Sequence, residues 1–343
     1  MLTLLLTVLI FGCLILIHEL GHYLFARLFD VAITEFAVGM GPKLFSRVSK
    51  KTGIRYSLRL IPFGGYVSMV GEDEASEDDR AFCNKATWKR MIITVAGATM
   101  NLLLGFILMT GYVSTYPMYG TTVLADLENS VLKEHAQVGD EIVEIDGHNV
   151  YTANDLIYEI FRLGVEPVDV VLLRDGKEII VENVQFPVTN ENGIAAGMYD
   201  FKIYGKEKSF GEVLRQSVFQ SRLSGKMVYE SLWDLMTGRY GMEAVSGPIG
   251  TGEVIGEAVQ NDRETGGYSL LYLCAVITIN LGIFNLLPIP ALDGGRLFFQ
   301  LIELIRRKPI NRKYEGYIHA AGMALLLLLM ALITFKDIIK LFT

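Results

Sequence analysis

Residues 17–23 read IHELGHY. His18 and His22 are four positions apart, which on an α-helix puts both rings on one face, within reach of a single metal ion. Glu19 stands beside the pair. Zinc held by two imidazoles and a third protein ligand keeps a position for water and lowers that water's pKa toward about 7. A carboxylate in Glu19's place can take the water's proton and pass it to a leaving amine. That is metal-assisted peptide hydrolysis. The bland alternative is two histidines at a polar contact between helices. The setting weakens it, because the cluster closes an uncharged apolar run, MLTLLLTVLIFGCLIL. Ionisable groups inside hydrocarbon usually mark function.

Zinc needs a third protein ligand. Asp293, in NLLPIPALDGG at 285–295, is the candidate. A lone carboxylate at the end of an apolar stretch is costly unless it is paired or metal-bound. Pro288, Pro290, Gly294 and Gly295 keep this stretch from being a regular helix. Irregular backbone at membrane depth has to be satisfied by protein or by a cavity. The competing assignment makes Asp293 the cap of a short helix that begins near Gly294. Taken alone the two readings are level. The topology favours the ligand, since it puts Asp293 on the same side as the histidines.

Membrane elements must position these residues. The chain has 343 residues, 51% of them hydrophobic, and a mean hydropathy of +0.36. Four stretches, 2–28, 92–116, 268–293 and 317–340, have the length and apolarity to cross a bilayer. The first lacks a basic leader and a small-residue cleavage site, so it reads as a retained helix. Residues 27–59 carry seven Lys/Arg against two acids, residues 119–200 carry sixteen acids against four bases, and 296–316 are basic again. Basic loops stay in the cytoplasm. The acidic segment and both termini then lie outside. A net charge of -7 argues against nucleic acid as a partner. Cys13, Cys83 and Cys274 form no readable disulfide framework.

The expected fold is a polytopic α-helical membrane protein with four transmembrane helices, a membrane-associated β-element and an inserted extracytoplasmic α+β domain. Its divisions are 1–29, the first span with the histidines; 30–91, the cytoplasmic β region; and 92–116, the second span. The α+β domain takes 117–200, and 201–267 hold an amphipathic helix (209–237) and a GPIG turn at 247–250. The third span with Asp293 takes 268–295, a cytoplasmic loop 296–316, and the fourth span with the C-terminus 317–343. RYSLRLIPFGGYVSM at 55–69 reads as strand, Gly-Gly turn, strand. TWKR at 87–90 reads as an interfacial anchor. In the acidic segment, DEIVEIDGHNV and VDVVLLRDGKEIIVENV are strand pairs across Asp-Gly turns, and TANDLIYEIFRLG is a helix with a Thr or Asn cap and a Gly stop.

HELGH in a first membrane helix and NLLPIPALDGG in a later one resemble the site-2 protease family, in particular its bacterial four-helix branch of RseP-type regulated intramembrane zinc proteases. The likeness continues through VGMGPKLF (38–45), RLIPFGGYV (59–67), AGATMN (96–101), VGDEIVEIDG (138–147) and GPIG (247–250). It implies one Zn2+ per chain on His18, His22 and Asp293, with Glu19 as the base. It implies that Asn285 lies near the bound substrate backbone. The segment containing Gly64, Gly65, Tyr66 and Val67 would hold substrate as an added strand. The acidic domain would be a single PDZ-like domain that filters by size. Partners would then be the lipid bilayer and single-span membrane proteins already trimmed outside, such as anti-sigma factors, remnant signal peptides or peptide-pheromone precursors. The resemblance places the chain in the bacterial cytoplasmic membrane, its active site toward the cytoplasm and its PDZ-like domain outside. Met40 and Ala98 stand where the family often has Phe and Pro; both bear on packing, not on the zinc chemistry.

A transmembrane helix hides its carbonyls in its own hydrogen bonds, so part of a substrate helix has to unwind before hydrolysis. A β-edge can pair the freed groups. Without the resemblance, 54–69 would read as an ordinary hairpin. Two other functions compete. A non-catalytic scaffold binding protein tails through the acidic domain is separated by zinc content. A transporter with a broken helix predicts internal repeats, which the sequence lacks. His135 and His148 read as surface residues, and His319 as a polar packing residue of the fourth span.

Overall fold

The computed structural model describes residues 2–72, 74–191, 194–239 and 247–340. The stretch 240–246 ahead of GPIG and the final residues 341–343 lie outside the described residues. The chain forms two compact units, one of residues 1–108 with 228–343 and one of residues 109–227.

Helix α1 (Leu2–Leu28) is apolar on all sides until the histidines, as a lipid-facing helix must be. Strands β1 (Ile33–Val48) and β2 (Arg55–Met69) follow. Each bends back on itself. Residues 35–38 pair on one side with 55–58 and on the other with 65–68, and 55–58 also pair with 45–48. The Gly64–Gly65 step therefore does not close a hairpin between the halves of β2. It carries the chain across to the other side of 35–38, with Gly64 at φ +90°, and leaves 65–69 as an edge. Buried Glu35 ties this sheet together, accepting from Ser57 Oγ at 2.6 Å, Arg59 at 2.9 Å and Lys43 at 3.1 Å. Burial pushes its carboxyl up, but these donors outweigh it and hold the pKa at about 2. Arg59 also bonds the Tyr66 hydroxyl. Helix α2 (Thr87–Val113) begins at TWKR, which forms its first turn.

The second unit is built on β3 (Met118–Asp126), β4 (Glu141–Ile145), β5 (His148–Asn149), helix α3 (Ala153–Leu163), β6 (Val168–Arg174), β7 (Lys177–Val184), β8 (Val188–Glu191), β9 (Ile194–Gly197) and β10 (Lys202–Glu207). Its main sheet runs β10-β3-β4-β6-β7, with β5 on β4. The Asp146-Gly147 and Asp175-Gly176 turns have positive φ at both residues, the type I′ geometry that matches strand twist. Thr152 caps α3 by accepting from the Asp155 amide at 3.2 Å, and Gly164 ends it. Leu124, Ile142, Leu156, Ile160, Leu172 and Phe186 form the core. Because β10 pairs with β3, the sheet extends past residue 200. Helix α4 (Phe210–Thr237) is the expected amphipathic one.

GPIG does not simply turn. Pro248 takes the first position of helix α5 (Pro248–Thr265), where its missing N–H costs nothing. Helix α6 (Ser269–Leu286) stops at Leu287, which precedes Pro288 and is extended at φ -64°, ψ 142°. Helices α7 (Asp293–Arg306) and α8 (Arg312–Lys340) complete the chain. Among the described residues, four helices are long and apolar enough to cross a membrane: Thr3–Leu28, Thr87–Val113, Ser269–Leu286 and Lys313–Asp337.

Candidate metal centre

The two rings on α1 meet the first residue of α7. Asp293 Oδ2 lies 3.1 Å from His18 Nε2 and 3.2 Å from His22 Nε2, and the two Nε2 atoms are 3.1 Å apart. Both histidines are buried. His22 Nδ1 donates to the Ile93 carbonyl of α2 at 2.8 Å, so its proton is on Nδ1 and Nε2 presents a lone pair. Asn101 of α2 lies 3.4 Å from His18 Nδ1, and its buried Oδ1 otherwise has no partner. Turning that amide over sets Oδ1 to accept from Nδ1, and His18 Nε2 then presents a lone pair too. With each Nδ1 turned to α2, the two Nε2 atoms and Asp293 Oδ2 converge on one point. Such a cluster is stable only with a positive charge among its atoms, a shared proton or a metal ion. Ligand atoms in a zinc tetrahedron lie about 3.3–3.4 Å apart, close to these separations. The donor set fits zinc.

Asp293 is placed by an irregular segment and two glycines. Ala291 sits at φ +80°, a strained position for a residue with a side chain. Its N–H donates to His319 Nδ1 of α8 at 2.9 Å. Gly294 and Gly295 press against the preceding backbone: a Cβ would lie 2.1 Å from the Leu287 carbonyl oxygen and 2.5 Å from that of Ile289. Leu292, not Asp293, is the cap of α7. Asp293, Gln300 and Glu303 share one helix face. On that face Gln300 donates to Thr94 Oγ1 at 2.9 Å and Glu303 pairs with Arg90 at 2.6 Å, both on α2. The same helix supplies the Ile93 carbonyl. It approaches so closely that a Cβ on Gly97 would lie 2.4 Å from His22 Nε2. His319→Ala should therefore loosen Asp293 through Ala291. Losing one such bond costs about 1–3 kcal/mol, which caps the loss at roughly 5–150-fold in zinc affinity. Zinc titration checks this, and His319→Gln, which keeps an acceptor, should recover part of the loss.

Glu19 faces the edge of β2. Its Oε2 accepts from the Val67 amide at 3.1 Å. The next amide on that edge, Met69, donates to Glu72 Oε2 at 3.4 Å, and Glu72 pairs with Arg296 of α7. A cavity of about 210 Å³ brings His18, Glu19, His22, Tyr66, Val67 and Asp293 together. Gly65 lies just behind, where a Cβ would stand 3.6 Å from Glu19 Cγ. Gly64 packs on Met40. Asn285 is half-buried on the last turn of α6 and does not line this cavity. Sequence reasoning missed Asn101, Glu72, Arg296 and the Ala291–His319 contact. Asn101 was signalled by an amide in an apolar span.

A buried histidine pair on an apolar helix, with an aspartate against it and a glutamate beside it, is a donor set of the kind metallopeptidases use. The chain belongs to peptidase family M50, whose family model matches residues 6–329. It is 35% identical over 336 residues to a protein of Clostridium perfringens that carries a zinc metalloprotease name, covering 96% of each chain. It is 30% identical to zinc metalloprotease RasP of Geobacillus kaustophilus, over 98% of this chain and 97% of that one. It is also 30% identical to the regulator of sigma-W protease RasP of Bacillus subtilis, over 98% of both. The chain is a zinc metalloprotease with Zn2+ as cofactor, and a multi-pass bacterial membrane protein.

Proposed function

We propose that the chain hydrolyses peptide bonds within transmembrane segments of single-span membrane proteins, in regulated intramembrane proteolysis. The convergence of His18, His22 and Asp293 with the Glu19 carboxylate in one cavity carries this reading. His18, His22 and Asp293 would hold the zinc. When bound, zinc supplies Lewis-acid chemistry and makes water acidic enough to attack near neutral pH. Glu19 takes the proton of the attacking water and delivers it to the leaving amine nitrogen. The Val67 N–H fixes the carboxylate's direction. The edge 65–69 pairs with the unwound substrate backbone, using amides not already held by Glu19 and Glu72. Asn285 belongs to the proposal on the family resemblance alone.

The second unit is read as a single PDZ-like domain outside the cell that admits substrates already trimmed, with the active site toward the cytoplasm. Its strand–helix–hairpin order and the basic–acidic–basic charge pattern support this. A relative named as a regulator of sigma-W protease supports regulatory substrates such as anti-sigma factors. Membrane proteomics of cells making wild type or Glu19→Gln tests the reading. Single-span fragments should accumulate only with the variant. Identical profiles would reject it.

A further inference from the structure

Ala291 and Leu292 line two cavities. One is the catalytic cavity. The other is an apolar groove of about 1460 Å³ between α1, α5 and α8. A helix about 10 Å across with a 1.5 Å rise fills about 120 Å³ per residue, so the groove has room for about three turns. Its wall runs from Thr3 to Phe11 on α1 and from Met323 to Ile333 on α8. On α5, Gly252 and Gly256 lie against Thr7 and Thr3.

The α5 wall differs from the others. Glu253 and Glu257 line the groove, and among the described residues neither makes an ion pair or hydrogen bond. Each follows a glycine that lies against α1, Gly252 on Thr7 and Gly256 on Thr3, and these threonines stand eleven and fifteen residues before His18 on that helix. Along the axis that is about 17–22 Å. The groove thus starts beside Asp293 and is anionic at its far end. Two carboxylates there repel an anionic lipid headgroup. They suit a Lys or Arg whose stem lies on the apolar wall while its head reaches them.

Resting on the function proposed above, we infer that this groove seats the helical part of a substrate's transmembrane segment, and that Glu253 and Glu257 select a basic residue toward its far end. A fully helical chain spans the distance in about 11–15 residues. Unwinding four residues at the scissile bond, at about 3.3 Å each, shortens this to about 7–10. The cation therefore belongs about 7–15 residues from the cut.

The test uses the full chain in proteoliposomes. One single-span substrate carries Lys, Ala or Glu at successive positions through that window. Wild type should cleave the best Lys substrate about 10-fold faster than its Glu counterpart, the scale of one favourable charge pair. The double variant E253K/E257K should reverse the order, and E253Q/E257Q should flatten it. In a Glu19→Gln background, cross-linking from Met330→Cys to a substrate cysteine should follow the wild-type order without any cleavage. An order unmoved by E253K/E257K would overturn the proposal. So would cleavage without cross-linking, which would leave the groove to lipid or to a second copy of the chain. Cross-linking that follows the Lys order without any wild-type cleavage would sink the proteolytic reading and keep the docking surface.

Discussion

Asp293→Ala is expected to yield a folded membrane protein that has lost most of its zinc and nearly all of its peptidase activity. Structural zinc sites with four protein ligands bind with about 10–16 kcal/mol, so one ligand accounts for about 3–4 kcal/mol, or 10²–10³-fold in affinity. The loss should be at the upper end here. Asp293 Oδ2 contacts both Nε2 atoms, and removing it takes the anionic member out of the donor set. Metal analysis of the purified variant beside wild type checks the prediction. His18→Ala and His22→Ala should behave alike. Full zinc and full activity in Asp293→Ala would send the search for the third ligand elsewhere.

Glu19→Gln should separate metal from turnover. The amide has the carboxylate's shape, and its oxygen can still accept from the Val67 N–H. The β2 edge should therefore stay in place and zinc content should be normal. Only proton transfer is lost, which is worth about 10²–10⁴-fold in rate. A near-normal turnover would reject Glu19 as the base. A parallel loss of zinc would instead mean that Glu19 supports the metal site.

Much of this was legible before any coordinates. The four spans are long apolar runs, and lipid permits little else. The four-residue spacing of His18 and His22 fixes their common face on a helix. The two Asp-Gly turns follow from local chemistry that no tertiary contact overrides. Other features were hidden for physical reasons. Gly64 and Gly65 look like a hairpin turn, yet the pairing partner of each half of β2 is residues 35–38, a choice made by non-local hydrogen bonds. Helix α5 is polar in composition and only its GPIG start is read, as a turn, because the helix is held by glycine contacts with α1 and by Asp337 of α8, whose carboxylate accepts from the Gly247 amide at 2.9 Å. Nothing local marks Ala291 as left-handed. Its conformation is supported by His319, 28 residues away. The competing cap assignment for Asp293 failed by one residue: α7 begins at Asp293 itself, and Leu292 takes the cap.

The most direct measurement is the position of the cut. A single-span substrate is reconstituted with the wild-type protein in a bilayer, and the new termini are mapped by mass spectrometry with and without a zinc chelator. The expected result is a pair of termini inside the apolar span, absent with chelator and absent with Glu19→Gln. Termini that map only to the flanking polar segments, or internal cuts that persist in Glu19→Gln, would contradict intramembrane zinc proteolysis by this chain.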